Sequence, residues 1–278
     1  NMGLVGRLNY DYASKYLLEA SFRYDGSSKF AKGHRWGFFP SVSAGYRISE
    51  ENFIKDTDAL SFLTNWKIRA SYGVLGDDGS SSYQFLSGYD YPGAGYVFGT
   101  EAYKGLGFRG LPNPSITWYT SKTLNVGTDL DLFNGLFSFQ IDFFWRYRDG
   151  LLGKRNQEVP GTIGAEMPEE NLNQDLYKGF EVVLGHRNQI RDFRYSVSLN
   201  FALTRKMNRK LVEGDAVNSY DRWRGKYSNR YSDMGWGYGS NGQYTSMEDI
   251  WNSPDQDGKG GSTLLPGDWK YEDWNGDG

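Results

Sequence analysis

The chain has 278 residues, a formal net charge of −3, 17% aromatic and 38% hydrophobic residues, and no cysteine. The absence of cysteine excludes a disulfide framework and a thiolate metal site, and 31 basic against 34 acidic residues give no electrostatic argument for nucleic-acid binding. No apolar run approaches the roughly 18 residues of a membrane-crossing helix, but a membrane-crossing strand needs an apolar residue only at every second position.

The first part of the chain alternates between apolar and polar side chains, which predicts β-strands. Strands predicted over residues 4–12 and 16–24 are joined by a tight turn at Ser14, and opposed positions in this hairpin sum to 28. Residues 25–35 read as a polar loop. Further strands are predicted over 36–48, where Pro40 is a mild objection because proline cannot donate to a ladder, and over 66–74.

Two longer alternating runs meet at Asn134-Gly135, within residues 119–150. Asn and Gly tolerate the positive φ of a two-residue type I′ hairpin turn. Opposed positions then sum to 269, and Leu132 faces Phe137. One face of this predicted hairpin is apolar and aromatic, and the other face is charged.

The remaining chain is divided into loops and two more strands. Residues 151–175 are predicted to form a long loop, followed by a strand over 180–184 and a polar turn at 186–192. A strand over 195–204 completes a total of about eight. No period of 2 or 3.6 persists over 205–278, which we predict to be a long loop region.

The connections alternate between short and long, which indicates the fold. Short connections at one end and long loops at the other are typical of an outer-membrane barrel, whose extracellular loops are long. Tyr, Trp and other rings near the strand ends suit two interfacial girdles. We therefore predict an all-β fold, a transmembrane antiparallel β-barrel with long extracellular loops, over residues 1–278. The alternative is a soluble β-sandwich, in which a second sheet covers the apolar face.

Short motifs follow one another in a characteristic order along the chain. They are NYDY at 9–12, KYLL at 15–18, SFRYDGSSKF at 21–30, RWGFFPSVSAG at 35–45, KIRASYG at 67–73, NP at 113–114, LFNG at 132–135, GFE at 179–181, PGD at 266–268 and NGDG at 275–278. In this order they resemble the SusC/RagA type of TonB-linked outer-membrane receptors. The resemblance extends over nearly the whole chain, and its segments up to Gly45 are the most specific.

This resemblance implies a barrel of about 22 strands, of which the chain is a C-terminal portion. It also implies the outer membrane of a Gram-negative bacterium, a TonB complex contacted through an N-terminal region, a plug and a SusD-like surface lipoprotein. The cargo it implies is an oligosaccharide or an oligopeptide. The chain opens directly in a strand pattern and stops inside a turn, so we expect the plug and the final strands to lie outside it.

The last residues carry a candidate calcium site. Asp273, Asn275 and Asp277 occupy alternate positions and are followed by Gly278, which matches the start of an EF-hand loop. The alternative is an Asx-rich turn without an ion, and we favour a plain turn for the shorter pattern at residues 255–258. No cofactor is required by this interpretation.

Aromatic residues crowd the two longest loops. Rings beside carboxylates and amides suit stacking against sugars, and the alternative is that they pack the loops against their neighbours or against a capping partner. The candidate substrate-binding residues are Tyr89, Tyr91, Trp223, Trp236 and Tyr238. Charged residues on the polar strand faces could line a pathway, but we expect them to hydrogen-bond to a plug or to one another, namely Arg69, Glu181, Arg194, Asp129, Asp131 and Asp142.

Catalysis finds little support in the sequence. His34 and His186 are far apart in the chain, and neither stands in a metal-ligand spacing. No serine elbow or phosphate-binding loop is present. We therefore expect a transporter portion without covalent chemistry, with a secreted glycan-binding β-sandwich and an outer-membrane hydrolase as the alternatives.

Overall fold

The computed structural model describes residues 2–93, 95–155, 162 and 164–273. The chain divides into two compact units, residues 1–233 and 234–278. The strands are β1 (Met2–Tyr12), β2 (Tyr16–Gly26), β3 (Trp36–Arg47), β4 (Leu63–Asp77), β5 (Tyr89–Asp90), β6 (Gly95–Phe98), β7 (Glu101–Lys104), β8 (Gly107–Phe108), β9 (Tyr119–Leu132), β10 (Phe137–Lys154), β11 (Glu169–Ile190), β12 (Phe193–Lys210), β13 (Arg230–Tyr231), β14 (Ser240–Gln243) and β15 (Trp269–Tyr271).

The larger unit is built on one antiparallel sheet. Within the described residues this sheet has nine strands in the order β1-β2-β3-β4-β9-β10-β11-β12-β13, so neighbours in the sheet follow one another along the chain. Two small sheets, β5–β8 and β6–β7, form within the connection between β4 and β9. In an up-and-down sheet of this kind, short hairpin turns can join the strands at one end and long loops can join them at the other.

The predicted register of both hairpins is confirmed, but the β9–β10 turn is longer than the two residues predicted. Residues 133–136 connect the strands, and Phe133, Asn134 and Gly135 have φ values of 51°, 51° and 79°. The Gly135 N–H donates to the Leu132 carbonyl at 3.0 Å and the Leu136 N–H to the Phe133 carbonyl at 3.2 Å, so two turns overlap here. Leu132 pairs with Phe137 in the predicted register. At the other turn, Ala13 and Ser14 also have positive φ, and Tyr12 pairs with Tyr16.

Several predicted strand ends are wrong, because pairing continues where the hydrophobic alternation stops. The loop predicted over 151–175 is shorter, since β10 reaches Lys154 and β11 begins at Glu169. The turn predicted over 186–192 is reduced to Arg191 and Asp192. Strand β12 continues to Lys210, where it pairs with the short strand β13, the ninth strand of the sheet. These extensions are mostly polar, and their few apolar residues do not form a continuous alternation that the sequence pattern could reveal.

One face of the sheet is apolar and largely exposed. Leu8 is 70% exposed on β1, Phe143 is 48% exposed on β10, and Leu199 is 62% exposed on β12. Rings line up across the middle of this face, with centroids 6.1 Å apart for Phe143 and Phe180 and 5.7 Å apart for Phe180 and Phe201. A soluble sheet of this size would cover such a face.

Aromatic side chains also mark the two ends of the apolar face. Beside the short turns, the Tyr16 ring stacks on Tyr46 at 5.2 Å and lies 6.4 Å from Tyr12. Toward the long loops, Tyr24 stacks on Trp36 at 4.9 Å. Rings at both borders of an apolar band are typical of strands that cross a bilayer.

The helices are short and lie outside the main sheet. They are α1 (Asn52–Lys55), α2 (Ser219–Gly225) and α3 (Met247–Trp251), with 3-10 turns at Ile48–Glu50 and Asp58–Leu60. None of the helices in the described part of the chain is long and apolar enough to cross a membrane.

The smaller unit has its own core. The strands β14 and β15 pair with each other, and Tyr244 and Ile250 are buried. Helix α3 is capped by the Ser246 hydroxyl, which accepts a hydrogen bond from the Asp249 N–H at 3.1 Å.

Candidate functional site

The polar face of the main sheet carries charged residues that pair across strands. Arg69 on β4 lies 2.6 Å from Asp142 on β10 and 3.1 Å from Asp129 on β9. Asp142 is only 7% exposed, and Gln140 also donates to it at 3.3 Å. Three of the six predicted charges thus pair with one another at the centre of the sheet, although Asp142 Oδ1 accepts no hydrogen bond from the described residues. Asp131 instead accepts a hydrogen bond from Asn65 at 3.1 Å, and Arg194 donates to Gln189 at 2.8 Å.

A glycine makes this three-strand ion pair possible. Gly127 lies between Arg69 and Asp142, and a Cβ atom there would approach Asp142 Oδ1 to 2.5 Å and the Ile141 carbonyl to 2.9 Å. The backbone of β9 thus leaves room for the guanidinium to cross from β4 to β10. An alanine would have to displace both the backbone and the ion pair.

A second ionic cluster joins the extended parts of β10, β11 and β12. Asp175 is 2% exposed and accepts a hydrogen bond from Arg148 Nε at 2.8 Å, while Lys206 Nζ lies 3.5 Å from it. The Arg148 guanidinium also lies 4.9 Å from the centre of the Tyr177 ring. The sequence prediction missed this cluster because Asp175 fell inside a predicted loop, and the only signal available was the acid–base complementarity of the three residues.

The loops at the far end of β3 and β4 are held by a small hydrophobic core, which we call the loop-anchor core: Phe30, Phe39, Ile116 and Trp118. Phe30 and Ile116 are almost fully buried, and Phe39 is 6% exposed. The Trp118 ring lies 5.6 Å from Phe30 and 5.3 Å from Phe39 in edge-on contacts. Residues 25–35 are therefore not the purely polar loop predicted, because one buried ring fixes them in place.

Polar side chains complete this anchoring. Trp118 Nε1 donates to the Arg35 carbonyl at 3.0 Å, and the Ser27 hydroxyl donates to Asp78 at 2.7 Å. Asn171 on β11 bonds both the N–H and the carbonyl of Thr117, at 2.9 and 3.0 Å. The segment that leads into β9 is thus tied to the loop at 25–35 and to β11.

Two of the five predicted substrate-binding residues lie in the connection between β4 and β9. Tyr89 and Tyr91 are 65% and 71% exposed, and the Tyr89 ring meets Phe108 edge-on at 6.1 Å in the small β5–β8 sheet. Tyr89 lies on the paired strand β5 and Tyr91 lies just after it, and both exposed rings are open to a ligand.

The other three predicted aromatic residues lie farther along the chain. Trp223 is 53% exposed on α2, with its ring 6.1 Å from Tyr220 and 5.6 Å from the Arg230 guanidinium. In the smaller unit, Trp236 is 43% and Tyr238 is 78% exposed, and Tyr238 lies 5.4 Å from Tyr271. Each of the three therefore keeps part of its surface open.

The predicted calcium site falls largely outside the described residues. Asn275 and Asp277 lie beyond residue 273, and among the described residues no group of three or more His, Cys, Asp or Glu side chains could hold a metal ion. At residues 255–258, Asp257 accepts hydrogen bonds from the Thr263 hydroxyl at 2.6 Å and from the N–H groups of Lys259, Gly261 and Thr263 at 2.8, 2.9 and 2.8 Å. That carboxylate stabilises a turn.

The chain is similar to several known receptors over most of its length. It is 34% identical to TonB-dependent receptor P3 of Formosa agariphila over 215 residues, or 77% of this chain and 21% of the relative. It is 33% identical to TonB-dependent receptor SusC of Bacteroides thetaiotaomicron over 221 residues, again 77% of this chain and 21% of the relative. The chain thus spans about a fifth of the length of these curated relatives.

Solved structures of the RagAB peptide importer share the fold. In its 'open-open' state the match has a TM-score of 0.67 at 22% identity, and it covers 92% of this chain and 27% of that chain. A family model described as "TonB dependent receptor-like, beta-barrel" matches residues 1–274. The predicted barrel is thereby confirmed over the β-sandwich, and the chain belongs to the TonB-dependent receptor-like β-barrel family.

Proposed function

We propose that this chain forms part of the barrel wall of an outer-membrane importer, which takes up its cargo with energy delivered through TonB. The observation that carries the proposal is the division of the main sheet into an exposed apolar face and a polar face whose charges pair with one another. In a barrel of this family the apolar face meets lipid and the polar face lines the interior. The long loops lie on the outside of the cell.

The cargo is proposed to be an oligosaccharide, held by open aromatic rings on the loops. Tyr89, Tyr91 and Tyr238 expose most of their surface, and sugar rings stack on such faces while their hydroxyls bond nearby carboxylates. An oligopeptide is the second candidate, since the RagAB structures that share this fold are described as a peptide importer. A SusD-like lipoprotein is the proposed lid over the loops.

Growth of a deletion strain tests this function. The full-length receptor should restore growth on its cargo, offered from a panel of defined oligosaccharides and oligopeptides, only while TonB is present. Replacing both Tyr89 and Tyr91 by alanine should raise the cargo concentration for half-maximal growth by about tenfold or more, because each ring supplies about 1 kcal/mol or more of contact.

The matched control is Tyr12→Ala. Tyr12 is 60% exposed, close to the 65% of Tyr89, but it lies beside a short turn on the apolar face. This control should leave the half-maximal concentration unchanged. Growth that persists without TonB would contradict the importer, and growth on peptides alone would contradict the oligosaccharide.

A further inference from the structure

Two cations interrupt the apolar face on its long-loop side. Strand pairing aligns Trp145 on β10 with Lys178 on β11, and Lys178 with Arg205 on β12. These three residues lie two positions beyond Phe143, Phe180 and Leu203 on their strands, so they share the apolar face. The next row toward the long loops holds Tyr147, Leu176 and Met207, so the two cations stand side by side within the outer part of this face.

A tyrosine orients these cations. Tyr231 on β13 stacks against the Arg205 guanidinium, whose Cζ lies 3.6 Å from the ring centre, and Lys178 Nζ lies 5.4 Å from the same centre. Both cations thus contact one ring, which draws them together despite their like charge. Lysine and arginine side chains that only extend toward the membrane–water interface do not need to share an aromatic contact.

The charge of this group is not fully neutralised. Asp233 pairs with Arg205 through Nε at 3.0 Å and Nη2 at 3.3 Å, and within the described chain Nη1 of Arg205 makes no hydrogen bond and Lys178 makes no ion pair. In the next row of the same face, Lys122 pairs with Tyr147. The two rows carry three cations, Lys122, Lys178 and Arg205, against one carboxylate, Asp233.

We propose that Lys178 and Arg205, together with Tyr231, bind the phosphate of a phosphorylated lipid headgroup in the leaflet on the long-loop side. A guanidinium and an ammonium that contact the same ring suit a phosphate group. They lie beside Trp145 and one row before Tyr147 on the long-loop side of the apolar face, and aromatic residues of this kind mark the depth at which headgroups lie. This inference rests on the proposed membrane location of the sheet. The site faces the bilayer, so it is separate from the proposed cargo-binding loops.

Lipid binding by the full-length receptor tests the inference. The protein is reconstituted in phosphatidylcholine nanodiscs with either diphosphoryl lipid A or its dephosphorylated form, and the apparent Kd is measured by native mass spectrometry. The wild type should prefer the phosphorylated lipid by about tenfold or more, since each cation near the headgroups contributes about fivefold. The double variant Lys178→Gln, Arg205→Gln should lose this preference.

Two further variants keep the result interpretable. The double variant Arg7→Gln, Arg23→Gln removes two cations from the polar face, where they pair with Glu19 and Asp25, and it should keep the preference. Lys178→Gln alone leaves the Arg205–Asp233 pair intact and should reduce the preference for the phosphorylated lipid about fivefold. This single variant tests the inference if the double variant fails to fold.

Three outcomes would overturn the inference: equal binding of both lipids by the wild type, a preference that survives in Lys178→Gln, Arg205→Gln, or displacement of the lipid by inorganic phosphate at an ionic strength matched with chloride. A receptor that does not enter the nanodiscs at all would instead overturn the proposed function. The two failures are therefore distinguishable.

Discussion

Asp175 is a charged residue buried within the main sheet. It is 2% exposed and is neutralised by Arg148 and Lys206 from the strands on either side. We expect Asp175→Asn to leave two cations without their counter-charge and to lower the free energy of unfolding by about 3 kcal/mol. Urea unfolding of the full-length receptor from lipid vesicles measures this change.

The control for that measurement is Asp90→Asn, which breaks an ion pair with Arg109 between side chains that are 58% and 48% exposed. An exposed pair contributes little, so the control should change the unfolding free energy by less than about 1 kcal/mol. Equal effects of the two substitutions would mean that Asp175 is not buried as described.

Asp257 governs the pH response of a single turn. Hydrogen bonds from the Thr263 hydroxyl and from backbone N–H groups hold the pKa of its carboxyl far below the ordinary value. A depressed acid pKa stabilises the fold above the unfolded pKa, and this stabilisation is lost only as the pH falls through the lower folded value. We expect the turn at 257–263 to persist from pH 7 to about 4.5.

Hydrogen-exchange protection factors of Lys259, Gly261 and Thr263, whose amides donate to Asp257, check this expectation. Protection should stay constant over that pH range and should fall at every pH in Asp257→Ala. Protection that declined between pH 7 and 5 would show that the carboxyl titrates at a higher pH than its hydrogen bonds imply.

At the scale of elements, the loop-anchor core ties the loops to the sheet. Phe30 is fully buried against Trp118, and Phe30→Ala should cost about 3–5 kcal/mol locally. Hydrogen exchange should rise in residues 27–35 and 113–118 of the full-length receptor, while the β9–β10 turn at Asn134-Gly135 stays unchanged. Phe133→Ala, a change at a ring that is 54% exposed, is the control and should leave the loops protected.

How much of the fold could be predicted depends on the element. The β1–β2 and β9–β10 hairpins were predictable in register, because Asn134-Gly135 fixes a turn and alternation fixes the face. The parts of β10 to β12 nearest the long loops were not predictable, because their few apolar residues do not alternate continuously. Phe39 and Phe30 were missed as core residues for a related reason: they are single rings in polar surroundings, and only the folded loops bring them together.

The types of residue in the candidate site could be predicted from the sequence, but most of the contacts between them could not. The Arg69, Asp129 and Asp142 contacts follow from strand register once β4, β9 and β10 are neighbours. The Asp175 cluster and the Lys178–Arg205–Tyr231 group depend on strand extensions that the sequence pattern does not reveal. Tyr89, Tyr91, Trp223, Trp236 and Tyr238 remain predicted cargo-binding residues, with exposed rings that suit the role.

At the scale of the whole molecule, the central claim is that the apolar face of the main sheet meets lipid. The chain contains no cysteine, so single cysteines can be placed along β10 at positions 138–145 and spin-labelled in the full-length receptor, with any cysteine elsewhere in the protein replaced. The measurement is the collision rate of each label with oxygen, which concentrates in lipid, and with a water-soluble nickel complex.

We predict that the oxygen accessibility of the labels alternates with a period of two residues along β10. Labels at 139, 141 and 143 should favour oxygen, because Phe139, Ile141 and Phe143 lie on the apolar face. Labels at 138, 140 and 142 should show low oxygen accessibility, because these positions lie on the polar face. Odd positions shielded from both reagents, as under a second sheet, or a profile without alternation would contradict the claim.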